Sequence, residues 1–492
     1  MPHSAVVIGV DSSTQSTKAV LVDAATGRTL AVGRAPHRVT GTAGARESDP
    51  EQWWRALADA VGQGLKASGA PASAVTALAV AGQQHGLVVL DGTGRPVRPA
   101  LLWNDTRSAP QAAALTDELG GPRAWTARTG SVPVAAVTAA KWRWLYENEP
   151  AAASSAAAVR LPHDFLTERL CGHAVTDPGD ASGTGWYSTA TGTYDAELLE
   201  LLGLDAKSLP TVVPSGGARV GSLTPAAAEA LGLPPGTAVA AGTGDNMAAA
   251  VGLGLGGAGL LGHPAVSLGT SGTVYATTPL RPATPHLSGF AHTDGTYLPL
   301  ACTLNCTQAV DAVAALLRLD REDARPGGEA VLLPYLDGER TPDLPTASGL
   351  LTGLRRTTTP QQVLGAAYEG ATATLLRALH HVERACGLDP AATGDRPLRL
   401  IGGGARGRTW VETVRRLSGR PLVLPKETEL VALGAAALAA ASAQGDDPVA
   451  VANRWGTGKG RELPAVRRDV ETWERIGAVL DRAAPGVLGG EA

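Results

Sequence analysis

One turn able to grip phosphate occurs twice in this chain. The first copy reads Val6-Val7-Ile8-Gly9-Val10-Asp11-Ser12-Ser13-Thr14-Gln15-Ser16-Thr17-Lys18 and runs on through Ala19-Val20-Leu21-Val22. The second reads Val266-Ser267-Leu268-Gly269-Thr270-Ser271-Gly272-Thr273-Val274-Tyr275. Each is an apolar run, a turn of small hydroxylated residues, then a second β-prone run, which predicts a strand–turn–strand hairpin. Backbone N–H groups and hydroxyls in such a turn are the donors an anionic tail needs. Two copies in two halves point to a duplicated fold that closes on a nucleotide.

The rest of the chain supports an α/β reading with two similar domains. Strands are expected at 5–10, 18–23, 75–81, 87–90 and 238–241 in the first half, with helices at 50–67, 108–119, 138–148 and 163–170. The second half is expected to hold strands at 265–276, 297–301 and 398–401 and helices at 305–318, 360–386, 408–418 and 429–443, with 465–483 as a terminal helix. These runs divide the chain into 1–246, 247–445 and a helical extension, 446–492, with the hinge between about 246 and 264.

Composition narrows the class. At 492 residues and 44% hydrophobic content, the chain can bury two large cores. A net charge of -4, scattered rather than blocked, argues against nucleic acid as the main partner. Four cysteines in this length make no disulfide framework. Cys302 and Cys306 stand four apart and read as buried thiols of one helix. The apolar stretches 247–262 and 430–443 are too short, or too rich in glycine and alanine, to span a bilayer. No secretory leader is seen, and the expected location is the cytoplasm.

Two carboxylates end strands beside small residues. Asp11 precedes the first Ser/Thr turn, where a carboxylate next to phosphate calls for Mg²⁺ between them. Asp245 closes Gly242-Thr243-Gly244-Asp245-Asn246, where the glycines let a substrate approach closely. A carboxylate so placed suits a general base, and it would also serve as a helix N-cap. Gly82-Gln83-Gln84-His85-Gly86 offers an amide and an imidazole between glycines, a clamp for a polyol or sugar. Trp103 offers a flat face to sugar C–H edges, while Asp105 and Arg107 are expected to brace their loop as an ion pair.

Some motifs mislead. Gly402-Gly403-Gly404-Ala405-Arg406-Gly407 fits the dinucleotide fingerprint, with Glu427 at the acidic position. With 61 glycines such matches arise by chance, and a dinucleotide oxidoreductase would leave the paired hairpins unexplained. The turn is read instead as backbone against a nucleotide's adenosine. Gly456-Thr457-Gly458-Lys459-Gly460 lacks the spacing of a P-loop, and there is no G-x-S-x-G elbow.

Taken together, these residues resemble the FGGY family of carbohydrate kinases over nearly the whole chain. The family's C-terminal pattern is met from Gly349-Leu350-Leu351-Thr352-Gly353-Leu354 to Gln362-Val363-Leu364-Gly365-Ala366-Ala367-Tyr368-Glu369. Its N-terminal pattern is met at Thr138, Lys141, Trp144, Leu145, Glu147 and Asn148 and departs at Ala136. The resemblance implies two actin-like, ribonuclease-H-like ATPase domains around a central cleft. Gly82 to Gly86, Leu102 to Asp105, Leu161 to Leu166, Gly242 to Asn246 and Leu333 to Pro342 are most similar to the branch that acts on D-xylulose, as actinomycetes carry it. Glycerol-specific members carry an Arg-Glu pair where Gln84-His85 stands, and a methionine is common at Gln84.

The same resemblance implies ATP-dependent phosphorylation of D-xylulose at its 5-hydroxyl. Asp245 would be the base, Gln84, His85, Trp103 and Asn246 the sugar contacts, and Asp11 with Asp245 the Mg²⁺ side. The nucleotide would lie on Ser13, Thr14, Thr17 and Lys18 of the first turn and Gly269, Thr270 and Ser271 of the second. Gly403, Gly404 and Arg408 would complete its site. Alternatives are a kinase for ribulose, glycerol or a sugar acid, or a sugar-binding regulator without catalysis. A homodimer stays open as the assembly.

Overall fold

Two seven-stranded sheets carry the same strand plan, in a computed structural model that describes residues 5–344 and 346–483. In the first sheet, β1 (Val6–Ser12), β2 (Ser16–Asp23) and β3 (Thr29–Pro36) form an antiparallel meander. On its other edge β1 pairs in parallel with β4 (Val75–Gly82), and β4 with β5 (Ala238–Ala240). The second sheet repeats this order. β6 (Ala265–Leu268), β7 (Gly272–Tyr275) and β8 (Tyr297–Thr303) form the meander. β9 (Leu398–Ile401) and β10 (Leu422–Pro425) extend it in parallel from β6. Both hairpins predicted from sequence are therefore the β1–β2 and β6–β7 ribbons at equivalent places.

Sequence explains why the central strands sit inside. Val6 to Ser12 and Ala77 to Gly82 are buried on both faces, as continuous apolar runs in a covered sheet are. One face of the first sheet is covered by α1 (Pro50–Ser68), through Trp53, Leu57 and Val61, and by α2 (Pro162–Cys171), through Phe165 and Leu166. Helix α1 starts on Asp49, whose side chain accepts from the Glu51 N–H, has Pro50 in its first turn, and stops at Gly69 with φ of 66°.

Between the sheets lie α3 (Asp245–Gly252) and a later helix, Leu430–Gln444. The far face of the second sheet is covered by α4 (Thr307–Leu317), α5 (Pro360–Ala385) and α6 (Arg408–Ser418), with Val310, Leu375, Leu379 and Trp410 in one core with Val266 and Val274. The Leu430–Gln444 helix, α7, has no polar face, so it is buried all round. Its alanines pack on Val7, Val20, Ala79 and Ala240 of the first sheet. On the other side α3 turns Met247 and Ala250 toward Ala265, Tyr275 and Leu298 of the second sheet. The two helices touch through glycine. A Cβ on Gly434 would lie 1.8 Å from the Ala248 carbonyl, and one on Gly252 would lie 2.1 Å from that of Leu430.

Some expected elements differ. Val88–Leu90 leaves the main sheet and pairs with Ala158–Arg160. Cys302 and Cys306 do not share a helix: Cys302 is on β8, and Cys306 precedes α4. The Leu304 and Asn305 N–H groups donate to the Glu339 carboxylate, which separates strand from helix between the two thiols. The segment after 445 is not wholly helical, since Gly460–Leu463 pairs with β10 at the edge of the second sheet. The last expected helix runs Val470–Ala483, and residues 484–492 lie outside the described ones. Among the described residues no helix is long and apolar enough to cross a membrane.

Candidate active site

The loop after β4, the start of α3 and the tip of the β6–β7 ribbon meet at one cavity of about 450 Å³. Gln84, His85, Trp103, Asp245, Asn246 and Ser271, six of the residues expected from sequence, line it. Glycines make the convergence possible. A Cβ on Gly82 would lie 2.7 Å from the His163 backbone N, and one on Gly86 would lie 2.5 Å from the Pro162 ring. One on Gly244 would lie 2.7 Å from Gln84.

Asp245 is the first residue of α3, and its Oδ1 accepts from the Asn246 N–H at 2.9 Å and from Asn246 Nδ2 at 3.1 Å. The same Nδ2 donates to Gln84 Oε1 at 2.8 Å, so the three residues are locked together. Burial, then the charges of Asp11 and Asp180, push Asp245 up to about 7. Asp11 is itself raised by burial, against the pull of its Ser13 hydrogen bond of 2.5 Å and of Lys18.

His85 adopts φ of 65°, the left-handed region that side chains rarely take. Its Nδ1 lies 2.8 Å from the Gly183 carbonyl, so Nδ1 carries the hydrogen and Nε2 remains an acceptor. Burial and the Lys141 charge hold it down at about 3, so the ring is neutral at physiological pH. Trp103 Nε1 donates to Thr14 Oγ1 at 3.0 Å, tying the cavity wall to the first Ser/Thr turn. Asp105 and Arg107 form the expected ion pair at 2.6 Å, and Glu47 joins it.

The nucleotide candidates divide. Ser13 and Thr14 sit at the tip of the first ribbon, while Thr17 is fully buried and meets Ser12 Oγ at 3.3 Å, inside the ribbon. Lys18 Nζ is held by Glu429 at 2.5 Å and lies 4.0 Å from Asp11. Thr307 donates to the Gly269 carbonyl, and Gln308 N–H to that of Thr270, fixing the second turn. Gly402 and Gly404 pack on Leu268, and Gly403 has open space beside it. Arg408 stands apart from the cavity, its exposed guanidinium 3.6 Å from Glu322.

Asp11 and Asp245 are hard oxygen donors, close enough that the charge of Asp11 lifts the pKa of Asp245, and such a pair suits a divalent cation. Among the described residues no group of three or more His, Cys, Asp or Glu could hold a metal. Two carboxylates fit Mg²⁺, which keeps waters and phosphate oxygens in its shell, better than they fit a metal in an all-protein cage.

Sequence reasoning missed the layer behind the site. His163, at the start of α2, is fully buried with Nδ1 2.6 Å from Asp180 and Nε2 3.4 Å from Asp164. Asp177 caps the short turn that carries Asp180 and accepts from Thr243 at 2.8 Å. The signal was Asp177-Pro178-Gly179-Asp180, which reads as loop punctuation until the fold carries it under Gly244. Burial opposes the charge on His163, yet Asp164, Asp180 and Asp177 raise it to about 9. A raised histidine adds stability that is full below its ordinary 6.5 and is lost as pH rises through 9. Wild type should therefore melt above His163→Gln by most below pH 6.5, the gap closing by pH 9 in thermal melts.

The deciding observation is the match of sequence to this geometry. Residues 6–252 match the N-terminal domain, and 265–443 the C-terminal domain, of the FGGY family of carbohydrate kinases. The chain belongs to the FGGY family. It is thus a carbohydrate kinase with ATP as phosphoryl donor. It is 57% identical to a xylulose kinase of Streptomyces rubiginosus over 97% of this chain and 96% of that one. It is 58% identical to a xylulose kinase of Streptomyces coelicolor over the same shares. The solved xylulose kinase of Bifidobacterium adolescentis superposes with a TM-score of 0.81 at 33% identity, covering 97% of this chain and 99% of that one. The fold expected from the resemblance, two α/β domains around a cleft, is the fold observed.

Proposed function

We propose that this chain transfers the γ-phosphoryl group of ATP to the 5-hydroxyl of D-xylulose. The observation that carries the reading is Asp245, a buried carboxylate on the wall of a cavity that Ser271 of the second turn also lines. A carboxylate so placed can accept the hydroxyl proton as the oxygen attacks phosphorus. The new bond joins the sugar oxygen to the γ-phosphorus, the bond to the β-phosphate oxygen breaks, and ADP leaves with its electron pair. Asn246 and Gln84 hold the carboxylate in register, and neutral His85 offers Nε2 to a sugar hydroxyl. Asp11 and Asp245 would hold Mg²⁺, which supplies charge neutralisation on the phosphates. Reliance on ATP fits a cytoplasmic enzyme.

A coupled ADP-release assay over D-xylulose, D-ribulose, glycerol and gluconate tests the sugar. D-xylulose should give the highest kcat/KM, and a higher value for any other sugar would sink the assignment. His85→Asn, a residue that tolerates the left-handed backbone, should raise KM for D-xylulose by roughly tenfold, the worth of a lost hydrogen bond. KM for ATP should stay within about twofold. An unchanged sugar KM would remove His85 from the clamp.

A further inference from the structure

We propose that Arg340 is a catalytic residue whose guanidinium carries the charge of the phosphoryl group in flight; this rests on the kinase reading above. Arg340 lies on the wall of the same cavity as Asp245, His85 and Ser271, but comes from the second half of the chain. Its backbone is fixed on both sides. The neighbouring Glu339 carboxylate accepts from the Arg340 N–H at 2.7 Å, from the Leu304 N–H at 2.5 Å, and from Asn305. Thr341 Oγ1 donates to the Cys302 carbonyl at 2.9 Å. Glu339 is thus committed to backbone N–H groups and the Asn305 amide and forms no ion pair with the side chain next to it. Among the described residues the Arg340 guanidinium forms no ion pair, whereas Lys18 and Arg107 both have carboxylate partners.

Its position follows from what it touches. Arg340, Cys302 and Ser271 line the same cavity, and the Thr341 hydroxyl, next along the chain, holds the Cys302 carbonyl, so Arg340 is brought to the side of the second phosphate turn. In the other direction its field reaches His85, which burial and Lys141 already hold at about 3. It also reaches Lys141, brought down to about 7 chiefly by burial. The guanidinium therefore lies between the phosphate turn and the sugar clamp. A half-buried cation without an anion is costly to keep. D-Xylulose is neutral and cannot offset that cost, whereas a transferring phosphoryl group can. Such a group spreads charge over its equatorial oxygens, which a planar fork of donors matches. A guanidinium supplies donors and charge but takes up no proton, so the proton still goes to Asp245 and the leaving electron pair to ADP.

Arg340→Gln, Arg340→Lys and Arg340→Ala in the full chain test this, assayed with whichever sugar wild type turns over best. A wrong sugar would therefore show in wild type and leave the test of Arg340 intact. Arg340→Gln should lower kcat by roughly 10²–10³-fold, the range for one transition-state donor, with both KM values within about threefold. Arg340→Lys should recover only part of that loss, because a point charge lacks the fork. Added guanidinium should raise the turnover of Arg340→Ala, which a misfolded variant would not show. Binding of ADP with aluminium fluoride and sugar should weaken in Arg340→Gln far more than binding of ADP alone. An unchanged kcat, or a loss carried wholly by the sugar KM, would overturn the proposal.

Discussion

Asp245→Asn should lower kcat by roughly 10²–10⁴-fold, the usual share of a general base, while KM for D-xylulose stays within about threefold. The amide keeps an oxygen for the Asn246 N–H and Nδ2, so the bonds at 2.9 and 3.1 Å survive and the clamp stays assembled. What is lost is the carboxylate charge, and with it the ability to take the proton and to help hold Mg²⁺. The variant should also melt no lower than wild type, because a neutral side chain relieves the burial and like-charge cost that raises Asp245. Steady-state kinetics beside a thermal melt read both. Near-normal turnover would take Asp245 out of the chemistry, and a lower melting point would make its role structural.

Gly434→Ala should destabilise the protein by about 3 kcal/mol or more, although alanine is the better helix former by about 1 kcal/mol. The added Cβ would meet the Ala248 carbonyl at 1.8 Å, and that oxygen is backbone of a buried helix that cannot turn aside. Crowding therefore outweighs propensity. A drop of about 3 °C or more in Tm is expected. Gly236→Ala is the control, since nothing lies within 4 Å of a Cβ there, and its Tm should hardly move. Equal behaviour of the two variants would mean that the helix crossing is softer than its distances imply.

What could be read in the chain was local. Both ribbons, the Gly242 to Asn246 turn and the Gln84-His85 pair announce themselves through apolar runs broken by small residues, and each lies where expected. Long-range facts carry no such mark. Nothing within 430–443 says that this alanine-rich helix belongs against the first sheet rather than the second, because an all-apolar helix fits any covered face. Cys302 and Cys306 have helical spacing, yet the distant Glu339 ends the strand between them. His163 has the look of a helix start, and its meaning depends on Asp180, 17 residues on, folding back beneath Gly244. Arg340 sits in a motif that marks a relationship but no role; only the cavity brings it together with Asp245.

The two helices stacked between the sheets make the halves inseparable as pieces of chain. A fragment ending at residue 252 would leave bare the valines and alanines that α7 covers, and α7 alone would have no sheet to lie on. Cutting the polypeptide in the 257–264 linker should therefore yield not two autonomous modules but one folded particle of two chains that copurify. Co-expressed, the pieces should elute together and turn over sugar; expressed singly, the first should aggregate. The halves repeat one strand plan, but the helices packed between them make a single folding unit.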